Sequence, residues 1–73
     1  MEYTVIIYKA EEGGYWAKVP LLPGCYSQGE SVEETLTNIK EAIESHLLAL
    51  QEDGQNIPEE HDPVISSRVK VGQ

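Results

Sequence analysis

The sequence predicts a small α+β domain with the element order β-β-β-α-β, in which one helix packs on one face of a mixed sheet. Three observations lead to this fold class. Short runs rich in β-branched and aromatic residues fill the first part of the chain, one long run with helical spacing follows, and an alternating run comes after it. A chain of 73 residues has room for one domain, residues 1–73. The expected architecture therefore has two layers.

The first two strands are predicted as a β-hairpin. The runs EYTVIIYK, residues 2–9, and YWAKVP, residues 15–20, flank a turn that contains Gly13 and Gly14. β-branched and aromatic residues favour strands, and glycine beside acidic residues is a typical turn signal. The sequence therefore predicts that these two runs form neighbouring antiparallel strands.

A rigid connector follows the hairpin. Pro20 ends the second strand because it cannot donate to a ladder. Pro23 and Gly24 continue the connector, and Gly24 supplies backbone torsions that other residues avoid. Residues 25–28, Cys-Tyr-Ser-Gln, are predicted as a short third strand, and Gly29 begins the turn into the helix.

The helix is predicted over Val32–Glu52. Ser31 is a suitable N-cap, and Glu34 three residues later completes a capping box. Gly54 and Pro58 mark the end of the helix. The apolar residues recur at spacings of three and four and are expected to face the sheet: Val32, Leu36, Ile39, Ile43, Leu47 and Leu50.

The run VISSRVKV, residues 64–71, is predicted as a fourth strand. Its residues alternate, so that Ile65, Ser67, Val69 and Val71 share one side. A strand that follows a helix in this way is expected to run parallel to the first strand through a right-handed crossover.

The charge of the chain restricts its partners. Thirteen acidic and five basic residues give a net charge of −8 at pH 7. An acidic surface repels phosphate, so no direct binding of nucleic acid is expected. The same surface suits a basic protein partner, although such a charge can also serve only to keep a small protein soluble.

Size and composition predict a soluble, cytoplasmic protein that associates with itself. A core this small contributes little stability, and one cysteine cannot form an internal disulfide. A homodimer or a higher homo-oligomer is therefore expected. No signal peptide and no membrane-spanning run is predicted, because no apolar stretch is long enough.

The residue pattern predicts no catalytic, metal or cofactor site, and hence no enzyme. The two strands at residues 4–9 and 15–19 contain no acid, whereas a two-metal nuclease needs carboxylates on its strands. Cys25, His46 and His61 do not have zinc spacing. Cys25 has no base beside it in the sequence and is expected to be a buried small side chain. His46 is expected at the edge of the core, and His61 in a solvated acidic loop.

Aromatic side chains concentrate on one predicted face of the sheet. Alternation turns Ile6, Tyr8 and Trp16 away from the helix, and Tyr26 joins them if Cys25 faces inward. The opposite face then carries the side chains that pack on the helix: Tyr3, Val5, Ile7, Ala17 and Val19. Scattered surface aromatics are ordinary, but four such residues on one face favour a partner or oligomer interface.

The residues also resemble the HicB-like antitoxin family. The resemblance covers Tyr3 to Pro58. Its motifs are Gly14-Tyr15, Val19-Pro20-x-x-Pro23-Gly24-Cys25, Ser27-Gln28-Gly29, Ser31-Val-Glu33-Glu34, Asn38-Ile-Lys40-Glu41-Ala42-Ile43 and Leu50-x-Glu52-Asp53-Gly54.

The resemblance implies a truncated RNase H-like fold and the role of antitoxin in a type II toxin–antitoxin pair. Such an antitoxin binds a small basic RNA-cleaving toxin and masks its active site. Many members carry a further DNA-binding domain, whereas this chain ends at Gln73, after the predicted fourth strand. No separate DNA-binding domain, and hence no operator binding, is expected. The alternative is a stand-alone oligomeric ligand-binding or regulatory module without a toxin partner.

Overall fold

An antiparallel sheet of three strands is covered on one face by one helix in the computed structural model, which describes residues 1–61 and 67–72. The elements are β1 (Ile6–Lys9), β2 (Tyr15–Lys18), β3 (Tyr26–Gly29) and α1 (Val32–Glu52). The strand order is β1-β2-β3. The predicted α+β class and the order β-β-β-α are confirmed, and the bounds of the helix are those that the sequence predicts.

The hairpin between β1 and β2 closes through two glycines. The Ala10 amide donates to the Gly14 carbonyl oxygen at 3.0 Å, and the Gly13 amide donates back to the Ala10 carbonyl oxygen at 3.2 Å. Both glycines have positive φ, at 103° and 74°. Residues with a Cβ rarely adopt such angles, so the two glycines allow this turn. The resulting register places Tyr8 directly opposite Trp16.

The connector after β2 consists of two successive turns. The amides of Leu22 and Cys25 each donate at 3.0 Å to the carbonyl oxygen three residues earlier. Pro20 and Pro23 occupy the second position of the two turns, where the fixed φ of proline fits. Gly24 follows Pro23 with a φ of 87°, as the third position of a type II turn requires. The two turns thereby direct the side chain of Leu22 into the core.

The start of α1 lies directly against the end of β3. The Ser31 hydroxyl oxygen accepts a hydrogen bond from the Glu34 amide at 3.1 Å, which confirms Ser31 as the N-cap. A Cβ on Gly29 would lie 2.8 Å from both the amide nitrogen and the hydroxyl oxygen of Thr35. Only glycine therefore lets the first turn of the helix approach β3 this closely.

The helix ends in a Schellman motif. The Gly54 amide donates to the Gln51 carbonyl oxygen at 3.0 Å, and the Gln55 amide donates to the Leu50 carbonyl oxygen at 2.9 Å. Gly54 has a φ of 71°. These bonds satisfy carbonyl groups that the last helical turn leaves unpaired.

The core lies between the sheet and the helix, and the predicted sheet-facing side of the helix is confirmed for Ile39, which is buried, and for Ile43 and Leu47, which pack against the core, but not for Val32 and Leu36. The buried apolar residues are Ala17, Val19, Leu22, Cys25 and Ile39. Thr35 is also fully buried, and its hydroxyl donates to the Ser31 carbonyl oxygen at 2.7 Å. Leu36, predicted to face the sheet, is 46 % exposed, and Val32 is exposed as well. Because the Thr35 hydroxyl has a hydrogen-bond partner, Thr35 can be buried in the core, whereas the spacing of apolar residues predicts burial of its neighbour Leu36.

The predicted fourth strand and the mixed sheet are not found in the part of the chain that the structure describes. Residues 67–71 form no strand, and every observed ladder is antiparallel. The remainder of the predicted strand, residues 64–66, lies outside the described residues. A strand needs a neighbour to pair with, and residues 67–71 have none among the described residues, where Val69 and Val71 are exposed.

Candidate aromatic and acidic interface

Three aromatic rings, one from each strand, form a ladder across the face of the sheet that points away from the helix. The rings of Tyr8 and Trp16 are stacked, with centroids 4.4 Å apart and planes 17° from parallel. The Trp16 and Tyr26 rings are tilted by 48° with centroids 6.3 Å apart. Aromatic pairs at these distances contribute about 0.5–1.5 kcal/mol beyond the area they bury. We call Tyr8, Trp16 and Tyr26 the aromatic ladder.

The ladder and its neighbour Ile6 are accessible to a partner. Ile6 and Tyr8 are exposed, and Tyr26 is 60 % exposed. Trp16 is half-buried between the two tyrosines. The predicted outward orientation of all four side chains agrees with the structure. That these residues form an interface remains a prediction.

Lys18 belongs to the same face. Its Nζ lies 5.5 Å from the centroid of the Tyr8 ring, within the range of a cation–π interaction. The register places it opposite Ile6 on one side and Tyr26 on the other. Alternation along β2 already puts Lys18 on the face of Trp16, so the sequence contained the signal. Lys18 is nevertheless absent from the predicted interface, because that prediction rests on apolar and aromatic residues.

Two acidic hollows flank Trp16. One hollow of about 640 Å³, here called the helix-side hollow, is lined by Trp16 together with Glu12, Glu30 and Glu34. Asn38 lines it too and donates from Nδ2 to the Gln28 carbonyl oxygen at 2.7 Å, which joins the helix to the outer edge of β3.

The other hollow, of about 500 Å³, lies at the hairpin and is here called the hairpin hollow. Tyr8 and Trp16 line it with Glu11 and Glu12. Glu12 and Trp16 are thus shared by both hollows. These hollows could not be predicted from the sequence, because they combine residues of the hairpin, β3 and the helix that are far apart in the chain.

Carboxylates beside aromatic rings form a surface suited to lysine and arginine side chains. A guanidinium or ammonium group gains from a nearby ring face and pairs with a carboxylate. Arginine in particular stacks on aromatic faces while its fork binds carboxylate. The ladder and its two hollows can therefore bind a basic surface through both shape and charge.

Cys25 is placed for packing rather than for reaction. The thiol is buried in the core, and this burial raises its pKa. A thiol with a raised pKa is protonated at neutral pH, and the reactive form of cysteine is the thiolate. His46 is half-buried on the helix, and His61 is exposed. Within residues 1–61 and 67–72, no three histidine, cysteine or acidic side chains are grouped so that they could hold a metal ion.

The segment after the helix is tied to the start of the chain. The Glu60 carboxylate accepts hydrogen bonds from the Thr4 amide, at 2.7 Å, and from the Thr4 hydroxyl, and the Tyr3 hydroxyl donates to the Pro58 carbonyl oxygen. The two bonds from Thr4 lower the pKa of the Glu60 carboxyl group. Extending the register of β1 and β2 puts Thr4 opposite Pro20, which has no backbone N–H. The Glu60 carboxylate therefore binds the Thr4 amide just beyond the end of the paired strands.

None of the helices that the structure describes combines the length and the apolar character needed to cross a membrane.

Comparison with known proteins relates most of the chain to one family. Residues 3–69 match the family model described as a HicB-like antitoxin of a bacterial toxin–antitoxin system. A UPF0150 protein of Thermoplasma acidophilum is 48 % identical over 61 residues, which is 84 % of this chain and 88 % of that protein. A UPF0150 protein of Synechocystis is 47 % identical over 58 residues, 80 % of this chain and 73 % of that one. One from Archaeoglobus fulgidus is 44 % identical over 59 residues, 78 % of this chain and 86 % of its own length.

Proposed function

Because the chain belongs to the HicB-like antitoxin family, we propose that it is the antitoxin of a type II toxin–antitoxin pair. In this role it acts without catalysis: it binds a small basic RNA-cleaving toxin and masks it. Residues 1–73 act as one domain in the cytoplasm, with the truncated RNase H-like fold that the family implies. The partner is a protein, and nucleic acid is not bound directly.

One observation carries the proposal: the stacked ring of Trp16 lies between two hollows lined by glutamates. A toxin that cleaves RNA must bind phosphates, and proteins do so with lysine and arginine. Glu12, Glu30 and Glu34 then take the place of those phosphates. The toxin surface that would face RNA is occupied by the antitoxin, and RNA is excluded by competition.

The aromatic ladder supplies most of the affinity of this complex, and the glutamates orient the toxin and increase the association rate. Buried aromatic anchors supply most of the energy of typical interfaces, whereas charges at the rim steer association and select partners. The net charge of −8 draws a basic partner toward the surface before contact. Trp16 and the glutamates around it thus have different tasks in the complex.

The test is a binding measurement with the product of the neighbouring gene, which the proposal expects to be a small basic chain. We expect the two chains to co-purify and growth inhibition by the partner to be relieved. A triple Glu12→Gln, Glu30→Gln and Glu34→Gln variant should associate at least about tenfold more slowly at low salt, because steering charges act on the association rate. The difference in association rate between this variant and the intact chain should decrease as the salt concentration rises.

The matched control removes three charges elsewhere. Glu41, Glu44 and Glu52 lie on the helix and are exposed, and none of them lines either hollow. A Glu41→Gln, Glu44→Gln and Glu52→Gln variant should slow association far less. Equal slowing by both variants would refute the acidic hollows as the contact surface. A neighbouring product that neither binds nor is neutralised would favour the stand-alone oligomeric module instead.

A further inference from the structure

We infer that residues 67–71 of a second copy of this chain bind as a fourth strand at the open edge of β1, above an apolar groove between β1 and the helix. The exchange is reciprocal, so two copies each give and receive one segment. This inference concerns self-association and does not depend on a toxin.

The groove is apolar and unfilled. Its volume is about 280 Å³, and it is lined mainly by Tyr3, Val5, Leu36, Ile43 and Leu47. Leu36 is 46 % exposed although it lies on a helix that covers a sheet. Burying a leucine side chain stabilises a protein, so an exposed leucine beside other apolar side chains indicates a place for a partner.

The edge of β1 beside this groove is open. The Ala10 amide donates across the hairpin to Gly14, so alternation directs the backbone groups of Tyr8 and Ile6 toward β2. The N–H and C=O groups of Ile7 and Lys9 then face away from the sheet. Among the described residues no strand pairs with this edge. An unpaired edge of this kind is a template for another strand.

The C-terminal segment has the properties of the missing strand. Val69 is 81 % exposed and Val71 is 78 % exposed, and the two are separated by Lys70. Alternation puts both valines on one side and Arg68 and Lys70 on the other. Valine is among the best strand formers, and a strand with one apolar and one charged side fits an edge that is buried on one face only.

Charge complementarity identifies the acceptor. Residues 67–72 carry two basic groups and no acidic group. Residues 1–61 carry twelve acidic groups and three basic ones, a net charge of −9. The segment is therefore basic and the body of the chain is strongly acidic. In its own chain the segment is exposed and unpaired within the described part, so the acidic body that receives it is that of a second copy.

The experiment measures the mass of the intact chain by sedimentation equilibrium, together with a Val69→Thr and Val71→Thr variant. Threonine keeps the shape and strand propensity of valine but removes an apolar methyl group. We expect the intact chain to be a dimer and the variant to have a dissociation constant at least about tenfold higher. Leu48→Ala serves as the control, since Leu48 is exposed on the helix and does not line the groove. It should leave the dimer intact.

A disulfide test locates the segment and separates the two chains. A Leu36→Cys chain is mixed with a Val71→Cys chain and oxidised; the native Cys25 is buried and does not compete. A linked pair containing one chain of each kind is expected. A monomeric intact chain would overturn the inference. So would a chain bearing both substitutions that oxidises only within itself, because the segment would then fold back on its own body.

Discussion

Individual residues explain why the segment between β2 and the helix, residues 19–31, contains two prolines, two glycines and the cysteine. Pro23 and Gly24 form a type II turn, Gly29 admits the helix, and Cys25 fills a space in the core. The roles of Gly24 and Ser31 could be predicted, because each depends on local backbone geometry. The burial of Thr35 could not, since it depends on how closely Gly29 lets the helix approach.

Cys25 gives a prediction at this scale. Alkylation by iodoacetamide at pH 7 should be slow in the folded protein and fast in denaturant, because burial both shields the thiol and raises its pKa. The rate in the folded protein should rise only at a pH above the ordinary thiol range. Rapid labelling of the native protein at pH 7 would show that the thiol is accessible and would contradict the packing role.

Within the elements, the helix bounds were predictable, whereas the buried face of the helix was predictable only in part: Ile39, Ile43 and Leu47 face the core as expected, and Val32 and Leu36 do not. Capping residues and glycine mark the ends of a helix locally, which is why the predicted bounds of the helix, Val32–Glu52, agree with those in the structure. Which apolar side chains become buried depends on the partner surface. The helix lies over β2 and β3, so Ile39 is buried while Leu36 and Val32 remain exposed.

Two substitutions on the same helix test this orientation. Ile39→Ala should lower the free energy of unfolding by about 2–5 kcal/mol, because it opens a cavity in the core. Leu48→Ala should change it by about 0.5 kcal/mol or less, because Leu48 is exposed. Urea unfolding at one fixed protein concentration measures both. A larger loss for Leu48→Ala than for Ile39→Ala would mean that the helix packs through its other face.

For the molecule as a whole, the hairpin, the third strand, the helix and the outward aromatic face followed from sequence. Alternation and turn chemistry are local, and they sufficed to place Ile6, Tyr8, Trp16 and Tyr26 together. The acidic hollows were not predictable, because Glu12, Glu30 and Glu34 converge only once the helix is docked. The predicted fourth strand shows the same limit: its alternation is visible in the sequence, but pairing depends on an edge supplied by tertiary or quaternary structure.

The most direct measurement is the affinity of the Trp16→Ala variant for the proposed toxin, determined by titration calorimetry beside the intact chain and Leu48→Ala. We expect Trp16→Ala to bind at least about tenfold more weakly, a loss of roughly 1.4 kcal/mol that is typical of an anchor residue. The helix-side core is untouched, so the variant should keep its helical circular dichroism. Leu48→Ala should bind as the intact chain does. Unchanged affinity for a folded Trp16→Ala variant, with weakened binding by Leu48→Ala, would place the contact on the helix and contradict the account.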